Sequence, residues 1–374
     1  DLDQAWDNRW FADAKQYKGY WVAEMAIPFK TIRYKEGSTN WYAKFYRISS
    51  DGPERSSWGR VPRQYPIINL AYHGVITFEK PLRKPGANIA LIPYALSNYS
   101  EDRRNGYSNK RGLNYGGDAK IAIGSALNLD LTVNPDFSQV EVDQQITNLD
   151  RFEIFFPERR QFFLENADLF GGFGDETLRP FFSRRIGVAR DASTGQNVQN
   201  PIYTGARLSG RLDNNWRVGL LSMQTARDLD IGQASINYTV GVAQRKLFAR
   251  SNLGLIAVNK QVFPDAKLEN PAYNHNRVLG LEYNLASSDN KWNGKFFHHR
   301  SFTPDLSGKN GVTSANVFYN NLKYDFKLTL QDVGANYNPE VGFARRRDFQ
   351  RAAGILHWKF YPKAGPLQGH GPGF

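Results

Sequence analysis

The sequence predicts an all-β fold: a transmembrane antiparallel outer-membrane β-barrel over residues 88–374, preceded at 1–82 by the C-terminal part of a β-sandwich, with 83–87 as linker. Three observations predict it. Long segments alternate apolar and polar residues with a period of two, which is the strand signature. Several approach the ~9–11 residues that cross a bilayer, against ~5–6 for strands of soluble proteins. The connections between them alternate in length, as the periplasmic turns and external loops of such barrels do.

The N-terminal region differs from the rest. It carries Trp6, Trp10, Trp21, Trp41 and Trp58, with short strand signals at 20–27 and 41–48, and Pro81, Pro85 and Gly86 then break the pattern. Trp21, Trp41 and Trp58 are candidates for stacking on sugar rings, although packing in a core is the commoner fate of a strand tryptophan. The opening residues read like the interior of a domain, so the chain is expected to be a partial or processed product.

The clearest hairpin follows. Tyr115, Gly117, Ala119, Ile121 and Ile123 form one small or apolar face against Asn114, Asp118 and Lys120. After Gly124 and Ser125 the pattern resumes with Leu127, Leu129, Leu131 and Val133 against Asn128, Asp130, Thr132 and Asn134. The same alternation returns at 202–212, 216–225, 234–247, 253–262, 278–286, 292–300 and 322–330. Long connections are expected at 99–112, 135–200, 263–275 and 301–312, a medium one at 226–233, and short ones at 124–125, 213–215, 250–252 and 287–290. This parity puts the N-terminal domain on the short-turn side, in the periplasm of a Gram-negative bacterium. It puts 135–200 at the outer end, capping the barrel or filling its lumen. About eleven strands are counted where closure in lipid calls for an even number, so strands are expected to be missing at the C-terminus.

Composition is consistent with this reading. The chain has 374 residues, no cysteine, 33 glycines, 14% aromatics and a net charge of +12. Its mean hydropathy of −0.56 and the lack of any run near ~20 apolar residues exclude a helical membrane protein, whereas a barrel keeps a polar lumen face. The charges are dispersed, and no zinc spacing, Walker loop or helix-turn-helix pattern occurs, so nucleic acid is not an expected partner. Of the histidines, only His298 and His299 are adjacent, and neighbours on a strand point to opposite faces. They cannot chelate one ion.

One polar stretch stands apart. Asn134-Pro-Asp-Phe-Ser-Gln-Val-Glu-Val-Asp143 continues through Asn148-Leu-Asp-Arg-Phe-Glu153 to Phe156-Pro-Glu-Arg-Arg-Gln-Phe-Phe-Leu-Glu165. The favoured reading is a lumen or plug network in which Asp136, Glu141, Asp143, Glu153, Glu158 and Glu165 interlock with Arg151, Arg159 and Arg160. Asn134, Gln139 and Asn148 add amides, and Phe137, Phe155, Phe156, Phe162 and Phe163 anchor it. A second reading is a calcium site at Asp136, Glu141 and Asp143, whose spacing matches no EF-hand. A third is glycoside hydrolysis by a carboxylate pair. No cofactor is otherwise expected.

This stretch and the hairpin before it strongly resemble a family of Bacteroidota outer-membrane proteins whose domain is of unknown function, in which runs like NPDFSQVE and FFPERRQFFLE recur. The resemblance covers about residue 88 to the end. In that family a module resembling carbohydrate-binding family 9, a DOMON-like sandwich, commonly precedes the barrel. Gly19-Tyr-Trp-Val-Ala-Glu-Met-Ala-Ile-Pro-Phe29, with Thr31, Ile32 and Arg33, looks like the second half of that module. The resemblance implies passage, anchoring or assembly at the cell envelope, with outer-membrane lipid, glycans and other outer-membrane or periplasmic proteins as partners. The alternatives are a membrane-associated glycan hydrolase, a label some relatives carry, and an accessory subunit of a larger outer-membrane complex.

Overall fold

The computed structural model describes residues 10–83, 89–135, 155–362 and 369–374, apart from 30, 31, 33, 35, 50, 51, 53, 63, 64, 70, 103–107, 125, 191–194, 196, 230, 231, 267 and 269–273. The chain is all-β, with one antiparallel sheet of twelve strands. Its strands are β1 (Ile89–Asp102), β2 (Ser108–Ile123), β3 (Leu127–Val133), β4 (Ile202–Arg211), β5 (Trp216–Thr225), β6 (Ile236–Leu247), β7 (Ser251–Val262), β8 (His275–Ala286), β9 (Trp292–Phe302), β10 (Gly311–Asn320), β11 (Tyr324–Val333) and β12 (Phe349–Trp358). Each strand pairs with its predecessor and its successor, so the sheet is a single meander from β1 to β12.

Two strands exceed the sequence reading. Gly311–Asn320 and Phe349–Trp358 are absent from the alternating segments because both of their faces carry apolar residues, such as Val312 with Val317 and Ile355 with Leu356. β1 and β2 also extend into the expected loop at 99–112, pairing as far as Asp102 with Ser108. β1 and β12 are not paired to each other, and the sheet keeps two edges. Pro93 sits within β1, an edge strand where a missing N–H is tolerated. On the β12 edge, Leu356 and Phe374 exchange backbone hydrogen bonds and His370 pairs with Phe360.

The register runs unbroken through the middle of the sheet, so facing residues can be read as rows. One row joins Lys120, Asp130, Arg207, Leu221, Val240, Val258 and Val278. On the opposite face another joins Leu127, Gly210, Val218, Ala243, Leu255, Leu281 and His298. The first face is covered. Leu221, Met223, Val240, Val258 and Val278 pack in one buried cluster with Leu169, Phe170, Phe173, Phe181 and Ile186 of the segment after β3. The second face is not: Leu255, Leu279 and Leu281 are 53%, 51% and 51% exposed.

The covering segment contains two short helices, α1 (Gln161–Leu164) and α2 (Ala167–Gly171). It is tied down by Leu178–Arg179, which pairs with Phe343–Ala344 in the loop before β12. A second buried cluster, Leu178, Phe297, Val312, Val333 and Tyr337, forms beneath that contact. Before β1, the described residues form three two-stranded ladders: 11–17 with 20–26, 40–43 with 74–77, and 46–48 with 55–57. The Tyr65 hydroxyl donates to the Asn290 carbonyl in the short turn between β8 and β9, 3.4 Å away. No described helix is long and apolar enough to cross a membrane.

The fit of α2 on the sheet depends on Gly219, where an added Cβ would lie 2.6 Å from Phe170 Cζ and 2.7 Å from Val242 Cγ2. Gly219→Val should therefore cost roughly 1–3 kcal/mol through overpacking. The expected readout is faster proteolysis within 155–190 with unchanged strand circular dichroism; equal resistance to protease would show that α2 does not depend on this contact.

Candidate functional site

The site is the seam between the covered sheet face and the segment 155–190. Strand alternation sends the polar residues of β2, β3 and β4 toward the segment, and register sets them side by side. Arg207 is 2% exposed and gives two hydrogen bonds to Asp130 Oδ2, from Nε at 3.1 Å and Nη2 at 2.8 Å. Glu165 follows α1 and reaches the same place, accepting from Lys120 Nζ at 3.1 Å and Asn128 Nδ2 at 2.8 Å. The Arg207 guanidinium also lies over the Phe162 ring, 5.2 Å from its centroid. Beside them Asn166 donates to Ser209 Oγ at 2.8 Å, and Asp168 pairs with Arg217 at 2.8 Å.

A second clamp holds the turn after α2. Lys295 Nζ donates to the carbonyls of Gly172 and Gly174 at 2.5 and 2.6 Å and lies 3.4 Å from Glu282. Glu282, fully buried, accepts from the Gly174 amide and meets His299 Nε2 at 2.9 Å. Gly174 has φ +77, and a Cβ there would fall 1.9 Å from the Leu178 carbonyl, so the turn requires glycine. Asp175 closes it, accepting from Thr177 and Leu178 through Oδ1 and from Gln331 through Oδ2. His298, the neighbour of His299, lies on the opposite face against Thr313.

The third knot lies within the segment. Glu158 accepts from Arg160 Nε at 2.9 Å, Arg160 Nη2 at 2.7 Å and Ser183 Oγ at 2.6 Å, while Arg160 also donates to the carbonyls of Ser183 and Ile186. Burial pushes the Glu158 carboxyl upward, but the hydrogen bonds and charge of Arg160, with help from Ser183, outweigh it and hold the group below the usual value. Arg160 packs over Phe163, which is buried in the main cluster. Phe155 lies against Phe182, Phe343 and Arg179.

Of the residues the sequence nominated, the structure brings Glu158 and Arg160 into one knot and Glu165 and Phe162 into another, with Phe163 in the buried cluster. The Arg159 amide joins the first, donating to Glu158 Oε1. Asn134 instead terminates β3 with φ +47, its side chain donating to the Tyr115 carbonyl and its own carbonyl accepting from Tyr94. Asp136, Phe137, Gln139, Glu141, Asp143, Asn148, Arg151 and Glu153, and with them the calcium candidates, lie outside the described residues. No group of three or more acidic or histidine side chains suited to a metal occurs among the described residues. Trp41 sits in an aromatic cluster with Phe29, Tyr34 and Phe78; Trp58 packs on Phe45 and Gly74; Trp21 is 55% exposed on its hairpin.

Sequence reasoning did not single out Arg207, Glu282, Lys295, His299 or Gln331 as a site. Their signal was present as charge and amide on the polar face of long strands, but their partners are far away in sequence.

Two outcomes follow from this geometry. Arg207→Leu strands the buried Asp130 carboxylate and should cost about 3–5 kcal/mol, whereas the double variant with Asp130→Leu should recover much of it, read by denaturant unfolding. For Glu158 the folded value lies below the unfolded one. Its contribution is therefore present above the unfolded value, about 4.3, and is lost as pH falls through the folded one. Protease resistance of 155–190 should hold at neutral pH and decline in the acid range below about 4.3, and Glu158→Gln should flatten that decline.

No curated protein matches the chain, and no solved structure does. The family model described as a domain of unknown function, DUF5916, matches residues 85–368, which takes in the whole twelve-strand sheet and the segment it holds, and the chain belongs to this family.

Proposed function

We propose that the chain is a plugged outer-membrane β-barrel whose strands cross the bilayer, with 155–190 closing the lumen and the N-terminal region in the periplasm of a Gram-negative bacterium. The observation that carries this reading is the uncovered face of the sheet. Along β5, β6, β7, β8, β10, β11 and β12 that face runs in one order from the long-loop end to the short-turn end: polar, then aliphatic or small, then in most strands aromatic. In β8 it is Arg277, then Leu279 and Leu281, then Tyr283; in β11 it is Asp332, then Leu330, Leu328 and Phe326, then Tyr324.

At the short-turn end the aromatics touch across strands. Trp292 lies 4.7 Å from Tyr319, Tyr319 lies 5.4 Å from Tyr324, and Tyr324 lies 6.4 Å from Trp358. Such a row suits the boundary between hydrocarbon and headgroups, where amphipathic rings are most stable. A water-soluble protein rarely leaves so continuous an apolar band open to solvent. The charged and amide groups on the covered face are met from within by the plug, which supports this reading.

Under this reading, passage of solute requires the plug to move, and the chain serves gated passage or anchoring at the envelope. The contact from Tyr65 to Asn290 favours placing the N-terminal region on the short-turn side. If that region descends from a carbohydrate-binding module of the family 9 kind, as its likeness to modules of Bacteroidota outer-membrane proteins suggests, Trp21 and Trp58, 55% and 44% exposed, are the candidates open to a glycan. Glu158 and Glu165 are engaged by cations and amides, an arrangement better suited to holding the plug than to donating protons to a glycosidic bond.

The test is direct. The full chain should need detergent for solubility and should migrate faster unheated than boiled in electrophoresis. Leu255→Arg and Leu281→Arg, which pair across β7 and β8, should each cost about 2–4 kcal/mol near the bilayer midplane, while Gln261→Arg should cost close to none. A monodisperse, detergent-free protein in which Leu255→Arg is harmless would refute membrane insertion.

A further inference from the structure

We propose that Arg277 and Arg300 form one binding site for the phosphate of a membrane lipid, on the uncovered face of the sheet at its long-loop end; this rests on the reading of that face as lipid-facing. On β9 the order seen along the neighbouring strands is broken. From the long-loop end its uncovered face carries Phe302, Arg300, His298 and Phe296, and the register sets Arg300 opposite Leu279 and His298 opposite Leu281. A basic residue thus stands level with the start of the aliphatic band. Arg277 on β8 faces Phe302, so the two arginines are diagonal neighbours on one face.

Both guanidiniums are held in place by amides. Arg277 donates from Nε to Asn259 Oδ1 at 3.1 Å, and Arg300 donates from Nε to Asn310 Oδ1 at 3.1 Å. Asn310 is itself fixed, being 8% exposed and donating from Nδ2 to the Ser301 carbonyl at 2.7 Å. The Arg300 guanidinium also lies over the Phe302 ring, 5.5 Å from its centroid. Among the described residues neither arginine has a carboxylate partner, and the Nη groups of both stay outside these bonds. Asp305 of the following loop and Asp332 of β11 pair with neither.

Charge and surroundings together point to the occupant. Two like charges set side by side on a sheet repel, and an anion bridging them removes that cost. The planar forks of two arginines match the several oxygens of a phosphate. A free anion would touch only the guanidiniums, whereas Leu279 and Phe302, 51% and 38% exposed, flank them on the same face. A ligand that covers all four side chains needs an anionic head joined to an apolar chain, which describes a phosphorylated lipid. The margin of an apolar band is also where arginine side chains keep their stems in hydrocarbon and their heads among headgroups. His298 is engaged by Thr313 Oγ1 at 2.8 Å and lies one step deeper, so it is not assigned to the site.

The test titrates the full chain in dodecyl maltoside micelles with dioleoyl phosphatidic acid bearing a fluorescent label on one acyl chain. Saturable binding is expected. Arg277→Gln and Arg300→Gln should each weaken it by roughly tenfold, the loss of one charge-assisted contact. Arg346→Gln, in the exposed loop before β12, should leave it unchanged, and dioleoylglycerol, which lacks the phosphate, should not compete. Lipid binding that ignores both arginine substitutions overturns the proposal. So does inorganic phosphate that competes as well as the lipid, because the ligand would then be a free anion. The same preparations are run unheated and boiled in electrophoresis. A chain that shows the migration shift while its lipid binding ignores the arginines loses this proposal alone, whereas a chain that lacks the shift and binds no lipid loses the membrane reading with it.

Discussion

The structure depends on one constraint: a sheet with charge on one face must have that charge met. Asp130, Arg207, Glu282 and His299 are each almost wholly buried on the same face of the sheet. Exposed to water they would be hydrated; buried under an apolar segment they would be costly. The segment after β3 meets that face by bringing Glu165 to Lys120 and near Arg207, the Gly174 amide to Glu282, Asn166 to Ser209, Asp168 to Arg217 and the carbonyls of Gly172 and Gly174 to Lys295, and by packing Phe162, Phe163, Leu169, Phe170 and Phe173 around them. Polar satisfaction and packing are supplied by the same stretch of about one dozen residues, which is why changes in either should be read in the other.

Position along the strands separates the two main clamps. The β2 to β4 cluster is charge-rich and holds the start of the plug, whereas Lys295 and Glu282 on β9 and β8 hold the backbone of the turn after α2. The first clamp acts through side chains of the plug; the second acts largely through its main chain. Sliding of the segment along the sheet would have to break the contacts of Glu165, Gly172 and Gly174. Movement of the segment therefore implies a switch between discrete arrangements, in keeping with packed interfaces being bistable.

Much of the sheet was legible in the sequence because alternation is a local property. The hairpin at 115–133 and the strands near 216–225, 253–262 and 292–300 show it plainly. β10 and β12 were obscured because Val312, Phe318 and Ile355 place apolar side chains on the face opposite Tyr319 and Leu356, which mixes the two faces in sequence. The plug reads differently. Its density of Arg, Glu and Phe marked it as special, and the Glu158 to Arg160 knot is short-range enough to be guessed. The pairing of Glu165 with Lys120 and of Lys295 with Gly172 was not legible, since the partners lie 45 and 123 residues apart in sequence.

The same logic explains why charge counting was informative only after the register was known. A net charge of +12 says nothing about where a positive charge is lacking. Once Lys120, Asp130 and Arg207 fall in one row, each has a definite set of neighbours within a chain that is strongly basic overall. In the seam of β2 to β4 the register sets Asp130 between Lys120 and Arg207, so a charge that composition leaves anywhere in the chain acquires fixed partners.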